Sequence, residues 1–128
     1  MNDTTCCVAL DHAAIVTQAL QPALDFYVEL LGLTLSVVEP DPIREGRQRA
    51  LLTDVNGRTV LELIEIPEYV HASVPGHGAM HHLGFRFPER AWHAFRSRLD
   101  TQSYPYHQVD LRLFVRDADG LMLEIEHA

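Results

Sequence analysis

Cysteine is scarce in this 128-residue chain: the only two, Cys6 and Cys7, are adjacent. Neighbouring cysteines rarely bridge because the geometry is strained, and these lack the two-residue spacing of redox and zinc motifs. Ordinary thiols in a reducing cytoplasm are the expectation. Positive charge is also in short supply, with 10 Lys and Arg against 18 Asp and Glu and a formal net charge of −8. A nucleic-acid or anionic-membrane surface needs a basic face, so neither is an expected partner. No apolar run approaches the roughly 18–20 residues that span a bilayer. The polar stretch 1–5 lacks the basic region and apolar core of a secretory signal, so a cytoplasmic location is expected.

Hydrophobic residues make up 47% and charged residues 22%, the balance of a folded chain and not of a disordered one. The length suits one well-cored domain and is short for two.

Alternation then organises the chain. Leu83, Phe85 and Phe87 recur at every second position, as do Leu121, Leu123 and Ile125. Each run therefore reads as a strand with one face against a helix and His82 or Glu124 on the other face. The same pairing occurs earlier, with His12 in a strand over 8–17 and Glu62 in one over 58–66. Between them Gln21-Pro22 opens a helix with Ala23, Phe26, Tyr27, Leu30 and Leu31 at helical spacing and Gly32 as its stop. Strands over 33–39 and 47–53 follow, and Asn56-Gly57 is a hairpin turn. After an irregular connector, 67–79, the pattern repeats. A strand over 80–87 precedes a helix opened by Pro88 with Ala91, Trp92, Phe95 and Leu99 on its apolar side. Shorter strands over 104–109, 111–116 and 121–127 complete it, with Pro105 weakening the first of them. The predicted fold is α+β, a single domain of two βαβββ modules, about 8–66 and 80–127. Their sheets are expected to curve into a half-open mixed β-barrel.

Parity puts His12, Glu62, His82 and Glu124 on the inner side of that barrel. Fifty residues separate the first pair and forty-two the second, a loss of loop length with the pattern kept. Two imidazoles and two carboxylates suit one divalent metal, whether Zn, Ni, Co, Mn or Fe(II). Glu65 shares the parity of Leu61 and Leu63 and should point away, while Glu126 shares the face of Glu124 nearer the strand end. His71 and His77 read as loop residues, and His81 should face the helix with Leu83. Arg112 and Phe114 face inward as candidate substrate-binding residues, Arg112 for an anionic group.

Leu10-Asp11-His12, Phe26-Tyr27, Leu30-Leu31-Gly32-Leu33, Leu61-Glu62-Leu63, His82-Leu83-Gly84-Phe85 and the Asp117–Glu124 segment resemble the glyoxalase/bleomycin-resistance/dioxygenase family, the vicinal-oxygen-chelate superfamily. The resemblance covers nearly the whole chain from about Val8 to His127. It carries the family's four metal positions onto His12, Glu62, His82 and Glu124. It implies a metal-dependent enzyme on a small molecule, of the glyoxalase-I-like lyase or the epimerase and isomerase branch. Such an enzyme stabilises an enediolate by bidentate chelation, with Glu124 and Glu62 as catalytic carboxylates. The alternatives are an Fe(II) ring-cleaving dioxygenase using His12, His82 and Glu124, and a non-catalytic antibiotic-binding or resistance protein. Resemblance and open sheet edges together imply a homodimer, with the metal site inside one chain or shared between two.

Overall fold

A computed structural model describes residues 4, 6–69, 71–74 and 76–128. The remaining positions, which include most of the polar 1–5 stretch and Val70 and Pro75 of the connector, lie outside it. In the first half, β1 (Ala13–Thr17) leads to α1 (Leu20–Leu24), which runs on as a π-helical stretch, Asp25–Leu30. Strands β2 (Thr34–Pro40), β3 (Gln48–Thr53) and β4 (Thr59–Glu65) follow. The second half consists of β5 (His82–Phe87), α2 (Glu89–Thr101), β6 (Tyr106–Val109), β7 (Arg112–Arg116) and β8 (Met122–His127). The result is an α+β fold of two four-stranded mixed sheets, ordered β1-β4-β3-β2 and β5-β8-β7-β6. In each sheet the first strand pairs in parallel with the last and the other pairings are antiparallel. The sheets do not close into a barrel.

The sequence expectation for β1 reached back to Val8, but the strand starts at Ala13. Its sole partner is β4, and Ala13 already sits opposite Leu61, two residues from the start of that strand. Residues 8–12 thus overrun the sheet, and Val8 and Leu10 are exposed. The first helix also departs from simple helical spacing, because Leu31 donates to Phe26 across five residues at 2.8 Å. The wider turn buries Phe26, Tyr27 and Leu30 together. Gly32, at φ 102°, ends the helix where a residue with a β-carbon would be strained. The Arg98 guanidinium of α2 covers the freed carbonyls of Leu30 and Leu31 at 2.7 and 3.3 Å. Pro40 is tolerated inside β2 because that strand is a sheet edge.

Both sheets turn their apolar faces to one core. Leu52, Leu61 and Leu63 from the first half and Leu113, Leu123 and Ile125 from the second join Tyr27, Trp92, Phe95 and Leu99 there. Trp92 Nε1 donates to the Ile125 carbonyl at 3.1 Å, locking α2 onto β8. The turn before β8 ties the halves. Asp117 accepts the Tyr27 hydroxyl at 2.6 Å, and Asp119 accepts the Thr17 hydroxyl at 2.6 Å and the Gln18 N–H at 3.0 Å. Asp117 also accepts the N–H groups of Asp119 and Leu121, so this buried carboxylate is fully paired. Among the described residues no helix is long and apolar enough to cross a membrane.

We predict that Tyr27→Phe, which leaves one Asp117 oxygen buried without a donor, lowers stability by about 1–3 kcal/mol in urea unfolding at pH 7. Burial lifts the Asp117 pKa against the lowering effect of its donors, and removing the hydroxyl lifts it further. The unfolded chain keeps the ordinary value of about 3.9. Stability therefore falls as pH rises through the raised folded value, and the deficit of the variant should shrink below about pH 4, where Asp117 is protonated in both states. A deficit independent of pH would contradict this account.

Candidate metal centre

The first candidate pair stands just before β1 and in β4. Leu61 and Leu63 are buried in the core, so Glu62 projects from the opposite, open face of the sheet. Ala14 is its cross-strand partner, and His12 lies two residues earlier on that same side. His12 Nε2 is 2.9 Å from Glu62 Oε2, and its Nδ1 is 2.8 Å from Asp11 Oδ2. A carboxylate oxygen only accepts, so Asp11 holds the proton of His12 on Nδ1. Nε2 then faces Glu62 lone pair to lone pair, unless a proton or a cation lies between them. The hydrogen bond to Asp11, followed by the charge of Glu62, raises the His12 pKa in spite of partial burial. Glu62 is fixed in turn by Arg49 Nη1, 2.6 Å from Oε1, and Arg49 is held by Glu39 at 2.6 and 2.9 Å.

The second pair repeats the first. Leu123 and Ile125 enter the core, and Glu124 projects from the open face opposite Gly84. His82, two residues before Gly84, brings Nε2 to 3.2 Å from Glu124 Oε2. The His82 Nδ1 is 3.0 Å from His81 Nδ1, so His81 occupies the orienting place that Asp11 holds in the first half. Arg112 lies 3.6 Å from Glu124 Oε1 as Arg49 lies beside Glu62. The two arginines match in register, each two residues before the cross-strand partner of the glutamate, Leu51 in one half and Phe114 in the other. Their surroundings differ. Glu39 faces Arg49 across the strands, whereas Val109 faces Arg112. The Arg112 side chain is 57% exposed and that of Arg49 23%.

The structure thus makes two His–Glu pairs from the four sequence-predicted ligands. It does not gather them in one chain: among the described residues, no three of the four bring donor atoms within 4.8 Å of one another. A cleft of about 660 Å³ between the halves is lined by His12, Arg58, Phe85 and Arg86, and the other three candidate ligands do not reach it. Phe114 is half-buried on the open face beside Glu124. Glu65 lies on the core side, where it accepts the N–H of Leu20 at 2.7 Å and so caps α1. Glu126 is 3.3 Å from Arg86. His71 and His77 are exposed in the connector. His81 was expected to face the helix but is exposed beside His82, because β5 begins one residue after it. Asp11 and Arg49 were not singled out from sequence, and His81 was placed on the helix side. Their signal was the repeat itself: a polar residue directly before each histidine and an arginine at the same register in β3 and β7.

The donor chemistry fits a divalent ion. Imidazole nitrogen and carboxylate oxygen without thiolate suit zinc and its transition-metal neighbours, and each histidine has a partner on Nδ1 that leaves Nε2 to bind. The residue opposite each glutamate is small, Ala14 or Gly84, and a β-carbon at Gly84 would meet nothing within 4 Å. Space beside Glu124 is therefore open.

Comparison with known proteins places the chain in a family. A putative dioxygenase from Bacillus subtilis superposes with a TM-score of 0.80 at 19% identity, over 92% of this chain and 40% of that one. The trypanothione-dependent glyoxalase I of Leishmania major gives 0.73 at 20% identity, over 94% of this chain and 87% of that one. The fosfomycin resistance protein FosX from Listeria monocytogenes, solved with Mn(II) and sulfate, gives 0.71 at 10% identity, over 96% and 94%. At these identities the likeness establishes fold alone. No curated protein sequence matches this chain. The model of the glyoxalase/bleomycin resistance protein/dioxygenase superfamily matches residues 9–125, and to that superfamily the chain belongs.

Proposed function

We propose that the protein is a divalent-metal-dependent lyase or isomerase that moves a proton next to a carbonyl of a small anionic substrate. The observation that carries this reading is the repetition of one device, an oriented histidine against an arginine-held glutamate, at matching places in both halves. His12, Glu62, His82 and Glu124 would hold the ion, which when bound polarises a substrate oxygen and acidifies the neighbouring C–H bond. The two pairs stand apart in one chain, so we assign the complete site to a homodimer, with His12 and Glu62 from one copy and His82 and Glu124 from the other. The open faces support this. Val16 and Val37 on the side of Glu62, and Val109 on the side of Arg112, are 42%, 37% and 49% exposed. A second copy would cover them and complete the ligand set together.

Within that site the two glutamates are not equivalent. Glu62 is gripped at 2.6 Å by Arg49, which Glu39 locks in turn, so its Oε1 is held in place. Glu124 has looser contacts, 3.6 Å to Arg112 and 3.2 Å to His82, and is the carboxylate able to turn toward a substrate and take its proton. Arg112, exposed and without a counterpart to Glu39, is free to pair with an anionic group of the substrate, and Phe114 beside it offers an apolar wall.

Two outcomes test this. Glu124→Gln keeps the shape and one donor oxygen but accepts no proton, so it should retain metal and lose turnover by on the order of 10²-fold or more. Turnover is read as solvent-deuterium exchange into a hemithioacetal or a 2-methyl-branched acyl thioester under nitrogen. Oxygen uptake with a catechol and Fe(II), and no exchange into either of those two probes, would replace the isomerase reading by a dioxygenase. The second outcome concerns sharing. His12→Ala and His82→Ala should each lose the ion held by these four residues, and mixing the two under subunit exchange should restore about a quarter of those sites, since each mixed dimer regenerates one intact set. No recovery in a mixture that forms mixed dimers would show that the site does not span two chains.

A further inference from the structure

We propose a second metal site on the other face of β8, formed by Glu89, His93 and His127, which takes Zn²⁺ and staples the first turn of α2 to the end of the strand. Alternation along β8 separates it from the centre described above. Glu124 faces the open side, whereas His127 shares the core side with Leu123 and Ile125 and packs its ring 5.5 Å from Trp92. Glu89 and His93 are one helical turn apart on α2 and so share a face. His93 Nε2 and His127 Nε2 each lie 4.0 Å from Glu89 Oε1, and the three donor atoms are within 4.8 Å of one another. Among the described residues this is the one cluster of three potential ligands so placed.

The histidine on the strand is already arranged as a ligand. Its Nδ1 is 2.8 Å from the Ala128 backbone oxygen, which fixes the proton on Nδ1 and leaves Nε2, 4.0 Å from Glu89, with its lone pair free. Ala128 is itself anchored, its N–H donating to the Phe87 carbonyl at 2.8 Å. The His127 side chain is only 14% exposed, while Glu89 and His93 are 72% and 58% exposed and free to adjust. Zinc bonds of about 2.0–2.2 Å at tetrahedral angles set donors roughly 3.4 Å apart, so each 4.0 Å distance to Glu89 needs to close by about half an ångström. Two imidazoles and one carboxylate leave a fourth position for water, and the solvent-facing side of Glu89 and His93 supplies it.

The test is run where the first centre cannot contribute, in a His12→Ala/His82→Ala variant. Zn²⁺ alone should raise the melting temperature of that variant in a concentration-dependent way, with about one ion bound per chain by equilibrium dialysis. Adding His93→Ala, at an exposed position that the core does not need, should weaken zinc binding by more than the roughly 10–100-fold that loss of an outer partner costs, and abolish the shift. Glu89→Gln should fold normally and weaken binding in the same direction. Absence of a zinc-dependent shift in the His12→Ala/His82→Ala variant, or its survival in the His93→Ala background, would overturn the second site. Neither result bears on the first centre.

Discussion

The turn that precedes β8 holds the two halves in register. Asp117 binds Tyr27 of the first helix, and Asp119 binds Thr17 and Gln18 at the end of β1. One four-residue turn thereby fixes both the helix and the edge strand of the first half to the strand that carries Glu124. The shared apolar core supplies most of the driving force, but apolar contact is non-directional and would tolerate sliding. Short charge-assisted hydrogen bonds to a buried carboxylate do not. The placement of the two His–Glu pairs on the surface of the chain depends on that clamp.

Duplication explains the site better than any single residue does. In each half a parallel edge strand brings a histidine to a glutamate on the last strand, a preceding side chain orients the imidazole, and an arginine from the middle strand grips the carboxylate. Shared sheet geometry makes the two constellations alike, because residues with the same register and parity must point the same way. Neither His–Glu pair completes a metal coordination sphere by itself. Under the proposed dimer, the assembly and the active centre are one structural event.

Much of this was legible in the sequence. Alternation of Leu61, Glu62 and Leu63, and of Leu123, Glu124 and Ile125, decides which face each glutamate takes, and the helices follow from spacing and Pro or Gly boundaries. Parity specifies a face and not a distance across space, so it could not say that the two pairs stand apart in one chain. Strand composition continued back to Val8, but a strand ends where its partner ends, and that depends on register with β4. The π-helical turn after Leu24 has no periodic signature because five-residue bonding preserves the same apolar set. Arg49 read as one more polar residue in β3 until Glu62 and Glu39 were placed on either side of it. His127 looked like the last residue of a strand, and only the fold brings α2 against it.

The pairing of Arg49 with Glu39, and of Arg112 with Val109, gives the two halves different mechanical characters. In the first, three charged side chains lock one another, and any change in one disturbs the others. In the second, a valine leaves the guanidinium a single, longer tether. Of two units alike in sheet order, one wall is thus stiff and its twin slack. Under the proposed site, variation in substrate contacts can accumulate on β6 and β7 without loosening the wall on β3 and β4 that carries Arg49 and Glu62.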